Sequence, residues 1–336
     1  MKNTIKLVTL LLLVFSLVAC NTTEPKEPDT TDPDTNEPAD PDTDTGTETG
    51  EKYKIGILAP AVTHGWVAAV AYHAEAQAKE LASEIDYQIY TSTDANEMTA
   101  QLDDLKTWGA QAIVAFPQWE GMEVPIQQAM DEGIEIINFD IMIDVDGVYL
   151  VTGDNEGMGT KGAEYIVDKI GDEGNVVILE VPTSGSVSEL RKKGFEEKMA
   201  EIAPNMNLIT YATQFTREDG LKDMADILTA NNQIDAVFSM DDETSIGALQ
   251  AIAEANRTDV KAITGGGGMQ EYFKMMPENE DIWISSATYS PAMVKDAVKM
   301  ALQVLKGEEV EMVTVVPTTI VDRDNYQDHL DENSPY

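Results

Sequence analysis

The side chains of this 336-residue chain with the means to do chemistry are aromatic rings, carboxylates and amides. Trp66, Trp119 and Tyr289 carry ring faces, Asp140, Glu189 and Asp241 carry carboxylates, and His64, Gln118, Arg191 and Thr288 add neutral or basic polar groups. Ring faces stack on the C–H surfaces of sugars, and a carboxylate accepts two hydroxyl hydrogens at once. The set suits a polar ligand with several hydroxyls. No Ser–His–Asp order runs through it. Asp140 and Asp241 acting as the paired acids of a carbohydrate hydrolase is the competing arrangement, and product formed on incubation with candidate sugars would reveal it. Cys20 is the single cysteine, so neither an internal disulfide nor a cysteine-based zinc site can form. His64, His73 and His329 are the only histidines and argue against a multi-histidine metal centre. No cofactor is expected.

Those residues matter because of where the elements leave them. From Tyr53 onward, short apolar runs alternate with segments of helical period. Strands are predicted at 54–59, 87–90, 112–116, 135–139, 148–152, 175–180, 207–211, 236–239, 260–264, 282–287, 313–316 and 319–321. Helices are predicted at 66–83, 95–108, 124–132, 159–170, 188–202, 218–230, 244–255, 270–276 and 291–305. Alternating strands and helices make parallel sheets covered on both faces. So many strands exceed what one such sheet holds in this length, so two similar α/β domains are expected. Ligands of parallel sheets bind at the carboxyl ends of the strands. The residues there are Thr63, His64 and Trp66, then Gln118 and Trp119, then Asp140. In the second half they are Ser184 to Glu189, Asp241 and Asp242, Gly265 to Gly268, and Tyr289. Gly266 is the glycine taken to bring its backbone against the ligand.

Charge and the first fifty residues narrow the setting. Acidic residues outnumber basic ones 61 to 22, a formal charge of −39. Such a surface repels phosphate backbones and excludes nucleic acid as a partner. Lys2 and Lys6 precede an apolar run from Leu7 to Val18 that ends in Leu17-Val18-Ala19-Cys20. Residues 1–20 read as a lipoprotein signal peptide, the last four being similar to a lipobox, which implies cleavage before Cys20 and a lipid on its thiol. That lipid would be the only contact with the membrane. Residues 21–52 hold Thr, Pro, Asp, Glu and Gly with almost nothing apolar, a disordered acidic tether. Asp40, Asp42, Asp44 and Glu51 match the acidic positions of a calcium loop, but Thr45 stands where such a loop needs glycine. Gly157, Gly159 and Gly162 match a dinucleotide fingerprint, but Gly153 to Glu156 separate them from the preceding strand, so the required tight turn is missing.

In order and spacing the chain resembles the type I periplasmic-binding-protein fold, in its ribose-type sugar-binding branch, from about Tyr53 to Asp322. The stretches that carry the resemblance include Lys54-Ile55-Gly56-Ile57, Trp108-Gly109-Ala110-Gln111-Ala112-Ile113, Gly133 to Asp140, Gly153-Asp154-Asn155, Lys193-Gly194-Phe195, Asp235-Ala236-Val237-Phe238, Asp241-Asp242-Glu243 with Gly247-Ala248-Leu249, and Leu305-Lys306-Gly307-Glu308. The resemblance implies two doubly wound parallel-sheet domains joined by three crossovers, near 153–154, 287–288 and 316–318, with the ligand in the cleft between them. One lobe would hold 53–153 and 288–316, the other 154–287 and 317–332. It implies a monomeric, non-enzymatic receptor that closes on a sugar or polyol and delivers it to an ABC permease, outside the cytoplasmic membrane of a Gram-positive-type bacterium. A sensory receptor feeding a membrane signalling partner is the alternative. The departures concern specificity. His64 and Trp66 stand where the family has Asn and Phe, Ile141 where an Arg follows Asp140, and Glu189 where an Arg begins the helix, with Arg191 close by. Asp241 replaces an Asn, and Gly265 to Gly268 replace a Phe-Asp-Gly loop. They leave two ligand classes open: a neutral sugar or polyol bound differently, or a cation held by rings and carboxylates.

Overall fold

The computed structural model describes residues 51–61 and 65–336. Cys20, the tether up to residue 50, all of the calcium-like spacing but Glu51, and His64 lie outside them. The chain first lays down β1 (Tyr53–Pro60), α1 (Gly65–Glu80), β2 (Ile85–Ser92), α2 (Ala95–Trp108), β3 (Ala112–Ala115), α3 (Glu123–Asp131), β4 (Glu135–Phe139) and β5 (Tyr149–Gly153). It continues through α4 (Asn155–Ile170), β6 (Asn175–Glu180), α5 (Ser186–Ile202), β7 (Asn207–Ala212), α6 (Arg217–Ala230) and β8 (Ala236–Ser239). Then come α7 (Asp242–Glu254), β9 (Ala262–Gly266), α8 (Gln270–Met275), β10 (Trp283–Ala287), α9 (Val294–Leu305), β11 (Val313–Val316) and β12 (Ile320–Asp322).

The strands form two sheets of six, ordered β11-β5-β4-β3-β1-β2 and β12-β10-β9-β8-β6-β7. Every pairing is parallel except that of β12 with β10. The central strands show why. All four residues of β3 are buried, as are Val176 to Leu179 of β6, and such unbroken apolar runs belong to sheets covered on both faces. Chain passage between the sheets occurs three times, after β5, after β10 and between β11 and β12. Helix α9 follows β10 yet packs on α1 and on strands β3 and β4 of the first sheet. Its buried Val294, Ala297, Val298, Ala301 and Leu302 recur at helical spacing and make the stripe that docks there.

The Gly157–Gly162 motif opens α4, where the Asp154 side chain caps the amide of Gly157 at 2.8 Å. A β-carbon on Gly159 would collide with the backbone of Arg191, and one on Gly194 with the carbonyl of Glu156. These glycines let α4 and α5 cross at backbone distance. Gly220 and Gly247 do the same for α6 and α7, each facing the other helix's backbone. The four-glycine run is less of a loop than its composition suggests. Gly265 and Gly266 extend β9, paired with Ser286 and Ala287 of β10, and only Gly267 and Gly268 turn out of the sheet, at φ +127° and +85°.

Candidate functional site

The carboxyl ends of both sheets face one cavity of about 260 Å³. That lies just under the roughly 300–1,000 Å³ of drug-sized pockets and suits a single small ring or a short polyol. One wall is aromatic. Trp66 meets Phe116 edge-on at 6.1 Å and Tyr289 at 5.7 Å, while the Trp66 indole N–H donates to the Tyr289 carbonyl at 2.8 Å. Behind them Phe139 lies 6.3 Å from Trp66, nearly parallel.

Arg191 of α5 enters from the other sheet and is 5% exposed. Its Nε donates to Asn155 Oδ1 at 2.8 Å and one terminal nitrogen donates to the Met240 carbonyl at 2.7 Å. The guanidinium sits 4.5 Å from the Tyr289 ring centroid. The Tyr289 hydroxyl donates to Asp140 and accepts from Asn155 Nδ2 at 3.1 Å. A buried chain therefore runs Asp140, Tyr289, Asn155, Arg191, and joins the end of β4 to α5. Asp140 holds φ +68°, a backbone region short polar residues tolerate best, with its carbonyl bonded by the Thr152 hydroxyl at 3.0 Å. Asp241 spends one oxygen capping α7, accepting from the Thr244 amide at 2.8 Å and its hydroxyl at 3.1 Å. Both carboxyls titrate high. Burial pushes Asp140 up to about 6, against the opposing pull of the Tyr289 hydrogen bond and of Arg191. Burial likewise pushes Asp241 up to about 6, opposed by Thr244 and Arg191. Asp242, pushed to about 7 by burial, faces away from the cavity and braces the glycine turn, accepting from the amides of Gly268 and Met269 and from the Ser286 hydroxyl.

Of the residues named from sequence, Trp66, Gln118, Asp140, Arg191, Asp241, Gly266 and Tyr289 line this cavity. Three do not. Glu189 faces a separate depression on the outer side of α5 with Lys192 and Glu196. Two helical positions apart means about 200° of rotation, so with Arg191 turned inward Glu189 must turn away. Trp119 packs into the cluster of Met98, Leu102 and Ile126, while its neighbour Gln118 points into the cavity. Thr288 ties one chain passage to another, its hydroxyl accepting from the Thr319 amide at 2.9 Å. Phe116, Thr183, Gln214, Phe215 and Thr216 also line the cavity and were not singled out. Gln214 to Thr216 follow β7 closely, so the strand-end rule would have found them had it been applied to that edge strand. The Gln118 side-chain oxygen is buried without a hydrogen-bond partner among the described residues. Among the described residues no cluster of His, Cys, Asp or Glu is suited to a metal, and no helix is long and apolar enough to cross a membrane.

Comparison with known proteins agrees with this architecture. The chain is 28% identical over 215 residues to the D-allose-binding periplasmic protein of Escherichia coli, covering 60% of this chain and 68% of that one. It is 26% identical over 237 residues to the xylitol-binding protein of Mycolicibacterium smegmatis, covering 70% and 67%. Among solved structures, an ABC transporter solute-binding protein from Mycobacterium smegmatis with bound glycerol superposes with a TM-score of 0.77 at 25% identity, over 84% of this chain and 99% of that one. A galactofuranose-binding protein superposes with a TM-score of 0.76 at 26% identity, over 84% and 100%. These relatives are named for the solutes they bind. The periplasmic binding protein domain model matches residues 55–309, and with two parallel sheets flanking one cavity the chain belongs to that family.

Proposed function

We propose that the protein is the substrate-binding component of an ABC importer, lipid-anchored through Cys20 outside the cytoplasmic membrane, which captures one neutral sugar or polyol by closure of its two lobes. The lobes in this reading are 53–153 with 288–316 and 154–287 with 317–332. The observation that carries it is that buried Arg191 shares one cavity and an aromatic wall with Asp140 and Asp241. Rings cover C–H faces, two carboxylates accept hydroxyl hydrogens, and a guanidinium donates to hydroxyl oxygens. The same observation speaks against a cationic ligand, because the cavity already holds its cation. The volume favours a monosaccharide-sized molecule over an oligosaccharide. Relatives named for allose, xylitol and galactofuranose, and a glycerol complex, support the class without choosing within it.

The test is thermal unfolding against pentoses, hexoses, polyols, nucleosides and polyamines. A ligand at 100 times its dissociation constant adds about 2.7 kcal/mol of stability. A rise in Tm with a neutral sugar or polyol and none with polyamines is the expected result; a rise with polyamines alone refutes the neutral-ligand reading. Anchoring is tested separately, since Cys20→Ser should release the protein from membranes into the soluble fraction.

A further inference from the structure

The last residue of the sequence reaches the cleft from outside both sheets. Beyond β12, residues 330–333 are exposed, yet Tyr336 is 5% exposed and joins the hydrophobic cluster of Trp66, Val67 and Tyr289. The segment is pinned to the second sheet's side through Gln270. The Asp331 amide donates to the Gln270 side-chain oxygen at 2.7 Å, the Gln270 side-chain nitrogen donates to the His329 carbonyl at 3.2 Å, and the Gln270 amide donates to the Tyr336 carbonyl at 3.3 Å. The ring itself lies between the two halves. A β-carbon on Gly65, at the start of α1, would sit 3.3 Å from the ring, and one on Gly267, past β9, would sit 2.9 Å from its hydroxyl. Glycine at both places leaves room for the ring to wedge. The hydroxyl is buried without a hydrogen-bond partner among the described residues.

We propose that residues 330–336 are a strap across the cleft and that Tyr336 is a positioning residue which holds the start of α1 against the Gly267 turn, so favouring the closed arrangement. The inference rests on the reading of the cleft as a site that closes, but its test needs no ligand. Two of the strap's contacts use Gln270, which also holds the His329 carbonyl just before it, so the strap stays with the second half while its one buried ring reaches the first. Removing the ring therefore loosens the junction and leaves the strap's own anchor in place.

Hydrogen exchange of the ligand-free protein, compared with Tyr336→Ala and Tyr336→Phe, tests this. Tyr336→Ala should speed exchange about tenfold or more in peptides from both α1 and 267–275, a factor equivalent to about 1.4 kcal/mol. Tyr336→Phe should exchange like the parent, because the ring edge lies 3.1 Å from a β-carbon at Gly267, almost as near as the hydroxyl, and the hydroxyl has no hydrogen bond to lose. Unchanged exchange in α1 for Tyr336→Ala, or a Tyr336→Phe that behaves like Tyr336→Ala, overturns the proposal. Thermal unfolding of each variant checks that it folds. Because no sugar is added, failure here is distinct from failure of the ligand assignment, which the Tm panel decides.

Discussion

Arg191 is a cation held away from water with two buried carboxylates for company, and each of the three depends on the others. Arg191→Ala strands the Asn155 side-chain oxygen and the Met240 carbonyl and removes the positive charge that favours both ionised acids, and a loss of about 1.5–3 kcal/mol should appear in denaturant titration. Arg191→Lys keeps the charge but cannot reach Asn155 and the Met240 carbonyl together, so it should retain more stability while still losing ligand affinity. Asp140 and Asp241 titrate near 6 in the fold, above their unfolded value. The folded state therefore binds more protons between about pH 4 and 6. The stability these groups contribute is greatest below that window and is lost as pH rises through 6. Ligand affinity should move the opposite way, because an ionised carboxylate accepts hydroxyl hydrogens best. Titration calorimetry from pH 5 to 7.5 with whichever sugar raises Tm should show affinity climbing, and Asp140→Asn should flatten part of that climb. A flat profile in the parent means that neither acid accepts from the ligand. How much of this was legible beforehand differs residue by residue. Asp140, Asp241 and Tyr289 follow strands within two residues and Trp66 opens the helix after β1, and the strand-end rule places them. Choosing Arg191 over Glu189 needs the rotational phase of α5, and choosing Gln118 over Trp119 needs the course of an irregular segment. Neither is written in residue type.

The glycines of α4 and α5 act at the scale of elements. In an exposed helix, replacing glycine by alanine gains about 0.5–1 kcal/mol. At Gly159 or Gly194 the sign should reverse, because the new carbon meets backbone of the crossing helix that cannot give way. A loss of roughly 1–3 kcal/mol in urea unfolding is expected for Gly194→Ala, the usual range for overpacking. A gain would mean that the two helices separate without cost. The sequence shows these glycines and the helices that carry them, but not that they face one another, since that is a property of packing. It shows the strands best where the runs are mostly buried: the predicted bounds of 135–139, 175–180 and 236–239 coincide with β4, β6 and β8. It shows β9 less well. Gly265 and Gly266 read as a turn, yet sheet pairing absorbs them, and the missing side chain of Gly265 makes room for the Asp242 carboxyl and the Tyr272 ring.

A formal charge of −39 acts on the whole molecule as self-repulsion that folding must overcome. Added salt shortens its range to about 8 Å at physiological strength. Tm should rise as sodium chloride goes from 10 to about 500 mM, and differential scanning calorimetry would show it; a fall would mean that the surface ion pairs outweigh the repulsion. The joint between the two sheets is the other property of the whole. Tyr289 lies just past the second passage of the chain and Asn155 just past the first, and the two are bonded to each other while Asp140 and Arg191 hold their far ends. A change of side chain at Tyr289 thus alters the outline seen by a ligand and the stiffness of the joint together. Anyone converting the scaffold into a sensor for a different molecule would keep that strut intact. The editable positions are Thr183 and Gln214, which border the same cavity outside the strut, while Thr216 beside them caps α6.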